Sequence, residues 1–265
     1  MQVQRIQTPP SNLPSADLPP PGFSSAGTAA ATGDRILVVE GVGKRFGGLV
    51  ALSDVDLSVT RGSITGVIGP NGSGKSTLFN IIAGTLRPDR GRIVLNGHDT
   101  TRASPAQICR HGVGRTFQIS RLFGEMTVLE NLVAVAHGAS DAEAVERAMD
   151  LLAFLEIEGL RDKWGTELSY GQRKLVEIAR ALMLRPTVML LDEPFAGINP
   201  RLQNRIVDHL EALRQRGLTL FFIDHEMRIV LEICDTIHVL AQGRVIAQGT
   251  ADVIRTDPKV QDAYF

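Results

Sequence analysis

An α/β fold with a helical insertion is predicted by three features of this sequence. Short apolar runs recur along the chain without alternation, as strands covered on both faces of a sheet should read. A glycine-rich segment, Gly69-Pro70-Asn71-Gly72-Ser73-Gly74-Lys75-Ser76, joins one of these runs to a helix-like stretch. Between Gln118 and Leu184 the strand signal fades and helical periods take over.

Taken in order, the chain begins with a segment of a different kind. Met1–Pro21 holds six of the 13 prolines, and small residues follow through Gly33. Such a stretch has too little apolar surface to offset its ordering entropy, so residues 1–33 read as a disordered tail. It lacks the continuous apolar run of a secretory signal, and its single arginine argues against a transit peptide. Deleting residues 1–33 is expected to leave the melting temperature of the remainder nearly unchanged, which a thermal melt would check.

One ordered domain is expected over residues 34–265. Ile36–Val39, Ile64–Ile68, Ile93–Leu95, Val188–Leu191 and Leu218–Ile223 read as strands. Ile237–Leu240 and Arg244–Ala247 read as a late hairpin. In the helical stretch, Ser140 and Glu143 form a capping box ahead of an apolar stripe at Val145, Ala148, Met149, Leu152 and Leu155. A second stripe runs through Leu175, Ile178, Ala179, Leu182 and Met183 and is closed by Pro186. A helical subdomain at about 119–184 is therefore expected within the α/β core.

Composition removes several classes of function. The 265 residues, 43% hydrophobic, suffice for one sizeable core or two small ones. The net charge is −1 with both signs spread along the chain, which offers no basic field for nucleic acid. Cys109 and Cys234 match no metal-ligand or CxxC spacing and fit a reducing compartment. No run approaches the roughly 18 apolar residues that would span a bilayer. A soluble, cytoplasmic protein is the expectation.

The glycine-rich segment fits the phosphate-loop pattern G-x-x-x-x-G-K-[ST], with the required strand before it and helix after it. Gly69, Gly72 and Gly74 let the backbone curl so that N–H groups of the loop, from Gly69 through Ser73 to Thr77, face phosphates at a helix start. Lys75 brings a cation for the β- and γ-phosphates, and the Ser76 hydroxyl can ligate Mg²⁺. A plain glycine turn with a solvated lysine is the competing reading, and the matching flanks weigh against it. Downstream, Val188–Leu191 ends in Asp192 and Glu193. Ligands collect at the carboxyl ends of parallel strands, so Asp192 is placed beside the loop to hold Mg²⁺ through a water. Glu193 points the other way and is placed to deprotonate an attacking water.

Leu168-Ser169-Tyr170-Gly171-Gln172 resembles the LSGGQ signature of ATP-binding-cassette (ABC) ATPases, with Tyr170 in place of the first glycine. Ser169, Gly171 and Gln172 would form a second anion site at a helix start. The resemblance covers about Ile36 to the C-terminus. It implies a P-loop NTPase (RecA-like) core with N-terminal antiparallel β strands and an inserted α-helical signature subdomain. It also implies ATP and Mg²⁺ as ligands, held between two subunits paired head to tail. In the same series Gln118 matches the glutamine that touches Mg²⁺ and the water, and His225 matches the switch histidine at the γ-phosphate. Phe46 aligns with the aromatic that stacks on adenine, a packed core phenylalanine being the competing reading. Asn199 stands where many members carry aspartate.

Within the family, Phe46–Leu52, Gly114–Gln118, Arg121–Asn131 and Asp257–Tyr264 resemble branched-chain amino-acid import ATPases. Those imply two permeases, a partner ATPase of the same or a related kind, and a solute-binding protein. The subunit would sit on the cytoplasmic face of the membrane. Urea importers and the lipopolysaccharide-export ATPase share much of the pattern. DNA-repair cassettes would show a long coiled coil before the signature, and translation-type proteins would show two cassettes; this sequence has neither. Just after Gln118, Ile119, Leu122, Phe123, Met126 and Leu129 supply apolar residues for a permease-facing cleft or for the subdomain core. Phe123 is the expected exposed anchor.

Overall fold

The computed structural model describes residues 34–117 and 121–264, so the expected tail and the segment holding Gln118 and Ile119 lie outside the described residues. The chain runs β1 (Arg35–Phe46), β2 (Leu49–Thr60), β3 (Ile64–Ile68), α1 (Lys75–Ile82), β4 (Arg90–Leu95), β5 (His98–Asp99), α2 (Pro105–Arg110) and β6 (Val113–Arg115). It continues through α3 (Val128–Val133), α4 (Asp141–Phe154), α5 (Tyr170–Leu182), β7 (Val188–Asp192), α6 (Pro200–Gln215) and β8 (Thr219–Ile223). It closes with α7 (Met227–Ile233), β9 (Thr236–Ala241), β10 (Arg244–Gly249), α8 (Ala251–Thr256) and α9 (Pro258–Tyr264).

Two sheets organise these elements. One is antiparallel in the order β2-β1-β4-β5; the other runs β10-β9-β3-β8-β7-β6, parallel except for β10. Every residue of β3, β7 and β8 is buried, which is why these strands show no polar alternation. Their side chains divide between two cores by the two-residue period. Val67, Val188, Leu190, Phe221 and Ile223 pack with the antiparallel sheet. Ile64, Ile68, Met189, Leu191, Leu220 and Phe222 pack with α5, α6 and the helical region in one continuous cluster.

β2 is a strand that the apolar runs did not announce. Its signal is alternation: Val55, Leu57 and Val59 are buried while Asp54, Asp56 and Thr60 face out. Pairing on β1 shifts register near Val42, where Gly41 and Asp54 both take positive φ and the Gly41 N–H donates to Asp56 Oδ1 at 2.7 Å. The late hairpin turns through Gln242 and Gly243, both left-handed, as a tight two-residue turn requires.

α3, α4 and α5 fall between residues 128 and 182. The Ser140–Glu143 box caps α4, with Ser140 N–H donating to Glu143 Oε2 at 2.8 Å. Ala148, Leu152 and Leu155 are buried as expected, but Val145 is 40% exposed. The buried face is centred one position away, on Ala144, Ala148, Leu151, Leu152 and Leu155, which places Val145 on its flank. The α5 stripe is buried throughout.

Asn131 explains why an amide sits in the Thr127–Asn131 stretch. Fully buried on α3, it accepts from Phe123 N–H at 2.8 Å. It also donates to the carbonyls of Phe123, Met126 and Thr127 at 3.0, 3.2 and 3.0 Å. This one side chain closes the loop that presents Phe123. Asn131→Ala would leave several of these backbone groups unpaired and is expected to destabilise the fold by about 2 kcal/mol. A thermal melt should show a fall of roughly 4–8 °C for a domain of this size.

Candidate functional site

The order β9-β3-β8-β7 sets four strand ends side by side, and the segments leaving β3, β7 and β8 carry most of the expected site. The phosphate loop leaves β3. Gly69 enters with φ +157°, and a Cβ there would strike the carbonyl of Leu240 at the end of β9. Gly74 caps α1 in the left-handed region at φ +106°, where a Cβ would meet the Ala51 carbonyl at 2.7 Å. Only glycine satisfies both positions. Gly243 of the late hairpin donates to the Ser73 carbonyl at 2.9 Å, bracing the loop from its far side. Lys75 lies across the loop and donates to the carbonyls of Gly69 at 2.7 Å and Pro70 at 3.0 Å. Burial lowers its pKa, while the charges of Glu193 and Asp224 pull it back up. Asn71, Gly72 and Ser76 are exposed, Pro70 and Thr77 half-buried. Ser73 is buried and its hydroxyl has no partner among the described residues.

Asp192 ends β7, pairs with Ile223 in the ladder, and donates its N–H to the Thr116 hydroxyl oxygen at 3.2 Å. Burial pushes its carboxyl upward, and Arg115, 3.5 Å away, pulls it down. Glu193 follows with φ +46°, its N–H bound to the Ile223 carbonyl at 2.9 Å. This left-handed residue turns the chain at the end of the strand, and such strained non-glycine positions collect at functional sites. His225 leaves β8 with its Nδ1 at 3.9 Å from Glu193 Oε2 and 3.7 Å from Asp224 Oδ1. The structure therefore brings the loop, Asp192, Glu193 and His225 to one edge of the sheet.

The signature segment lies at the start of α5. Ser169 caps α5 and exchanges hydrogen bonds with Gln172, N–H to Oε1 at 2.9 Å and Oγ from N–H at 3.3 Å. The cavity that Ser169 and Gln172 line is shared with Leu160, Asn199 and Leu202 and takes no residue of the phosphate loop. Gly171 faces the end of the Leu202 side chain, which would have to shift to admit a Cβ there. Tyr170 is 46% exposed and lies over Gly197, joining the signature to the start of α6. Asn199 caps α6 by accepting from Leu202 N–H at 3.0 Å. Phe46 is 47% exposed at the tip of β1, which excludes the core reading of that ring.

Four residues at the site carried no expected role, although Arg115 and Tyr264 fall in stretches that resemble import ATPases. Arg115 bridges Asn80 and Asp192. Lys174, buried on α5, donates to the Glu193 carbonyl at 3.1 Å. Glu177, also buried, accepts from Arg121 N–H at 3.2 Å, next to the segment that holds Gln118. Tyr264 on α9 has its phenol beside the Gly69 N–H, and burial drives its pKa up to about 12. Each is an ordinary residue in a helix or strand, and only the fold gives it a neighbour in the site.

Known proteins agree with this arrangement. Residues 52–196 match the ABC transporter family profile, and residues 244–265 match one described as branched-chain amino acid ATP-binding cassette transporter. A probable branched-chain amino acid transport ATP-binding protein of Methanocaldococcus jannaschii is 41% identical over 250 residues, covering 87% of this chain and 97% of its own. The lipopolysaccharide export system ATP-binding protein of Haemophilus influenzae is 37% identical over 233 residues, covering 87% and 97%. A crystal structure of the ADP conformation of an ABC-transporter cassette superposes with a TM-score of 0.79 at 40% identity, covering 87% of this chain and 98% of that one. A dimeric bacterial ABC transporter cassette gives 0.75 at 28% identity, covering 81% and 98%. The chain belongs to the ABC transporter ATP-binding family. No helix among the described residues is long and apolar enough to cross a membrane.

Proposed function

We propose that this chain is the ATP-hydrolysing subunit of an importer for branched-chain amino acids. The observation that carries the activity is the meeting of phosphate loop, Glu193 and His225 at adjacent strand ends. The C-terminal match over residues 244–265 supports the cargo class. The loop from Gly69 to Thr77 binds the phosphates of ATP through its N–H groups and Lys75, and Phe46 stacks on the adenine. Ser76, Asp192 and Gln118 are the oxygen donors for Mg²⁺. The first two fit a hard cation that keeps most of its shell from phosphate and water. When bound, that ion neutralises charge on the phosphate oxygens. Glu193 takes a proton from the attacking water at its carboxylate, and His225 contacts the γ-phosphate and holds the geometry.

A head-to-tail pair of subunits, identical or related, brings Ser169, Gly171 and Gln172 of one chain to the nucleotide of the other. This fits the cavity lined by Ser169 and Gln172, to which no residue of the phosphate loop contributes. The pair serves two permeases at the cytoplasmic face, supplied by a solute-binding protein. Reconstitution tests the whole reading: with permeases and binding protein present, leucine should stimulate ATP hydrolysis. Hydrolysis indifferent to every branched-chain amino acid would overturn the cargo.

Phe123 is proposed as the permease anchor. Its ring is 51% exposed, with the Arg180 guanidinium 5.8 Å from its centre and the 48%-exposed Trp164 in the adjoining bridge to Thr127. Leu122 and Leu129 pack partly on the core and Met126 is half-buried. Phe123→Ala is expected to leave folding and ATP binding intact and to weaken permease association by about 2 kcal/mol, roughly 30-fold. Co-purification and transport at the parental level would remove this interface.

A further inference from the structure

Asp224 has no part in the roles assigned above, yet it is among the most completely enclosed charged side chains described, at 0% exposure. Its Oδ1 accepts from His225 N–H at 2.7 Å and Glu226 N–H at 3.0 Å, and its Oδ2 accepts from Phe195 N–H at 3.1 Å. Two of these donors lie on the segment leaving β8. The third lies on the segment leaving β7, two residues past Glu193. A carboxylate, whose oxygens only accept, suits all three donors. Burial pushes the carboxyl upward and the three N–H groups pull it down. Its charge also reaches Lys75 and Lys174, whose pKa burial lowers, and offsets part of that lowering in both.

We propose that Asp224 is a positioning residue for hydrolysis, stapling the exits of β7 and β8 together and so fixing His225 relative to Glu193. The switch histidine sits 3.7 Å from Asp224 and 3.9 Å from Glu193, so a shift of either segment changes that spacing directly. Asparagine at 224 would keep one acceptor oxygen and turn an NH₂ group against an N–H donor. The inference rests on the reading of Glu193 and His225 as the hydrolytic pair.

The test compares the full-length parent with Asp224→Asn, His225→Ala and the double variant, measuring MgATP affinity, kcat and melting temperature. Asp224→Asn should bind MgATP within about threefold of the parent, while kcat falls about 10–100-fold through misplacement of the pair. The double variant should be no slower than His225→Ala, because groups acting as a unit are non-additive. Losses that multiply in the double variant, or parental kcat in Asp224→Asn, overturn the proposal. If Asp224→Asn does not fold, amide exchange in the parent decides. The Phe195 and His225 N–H groups should be protected like those of β7 and β8, and fast exchange at either removes the staple. A parent that does not hydrolyse ATP would instead defeat the underlying reading.

Discussion

Glu193→Gln is expected to lower turnover by about 10²–10⁴ while ATP still binds. The backbone at 193 is set by its left-handed φ of +46° and by the N–H bond to Ile223, neither of which depends on the carboxylate. Lys174 holds the Glu193 carbonyl, again independent of the side-chain charge. Glutamine should therefore occupy the same place with the same shape. What it lacks is an oxygen basic enough to take a proton from water, so the chemical step slows and binding persists. An ATP-loaded dimer should become easier to isolate, because hydrolysis no longer separates the pair. ATPase assays in the assembled transporter check the first expectation, and size-exclusion chromatography with MgATP checks the second. Parental turnover in this variant would show that another group is the base.

The sequence made the phosphate loop, the Asp192–Glu193 strand end and the signature legible because each is a local pattern with a local cause. Gly69 and Gly74 are glycines for reasons a few residues of backbone dictate, although the atoms they avoid belong to β9 and β2. The buried strands were legible for the same reason, since a strand covered on both faces is built mostly of apolar residues. β2 was missed because its evidence is a half-buried alternation interrupted by Asp54 at a bulge. Val145 was misplaced because a helical stripe fixes its spacing but not which flank faces a neighbour. Lys174, Glu177 and Asp224 were invisible for a deeper reason. A buried charge declares itself only through its partners, and each of these has at least one on another segment: the Glu193 carbonyl for Lys174, the Arg121 N–H for Glu177 and the Phe195 N–H for Asp224.

Lys75→Ala is expected to weaken ATP binding by at least about 100-fold, since the phosphates lose the one side-chain cation that lies across their loop. The loop itself should survive the change. Gly69 and Gly74 are fixed by their packing against Leu240 and Ala51, and the Gly243 N–H holds the Ser73 carbonyl. Burial already works against the charged ammonium, so its removal takes away a desolvation cost along with two hydrogen bonds to the Gly69 and Pro70 carbonyls. The nucleotide-free melting temperature should accordingly move little. Adenosine, which carries no phosphate, gives the internal control: the weak binding proposed for its base on the exposed Phe46 ring should be the same in parent and variant. Calorimetric titration with ATP, ADP and adenosine separates the cases. A loss confined to the phosphorylated ligands identifies Lys75 as the phosphate cation. An equal loss for adenosine would mean that the substitution deformed the loop, and unchanged ATP affinity would remove Lys75 from the site.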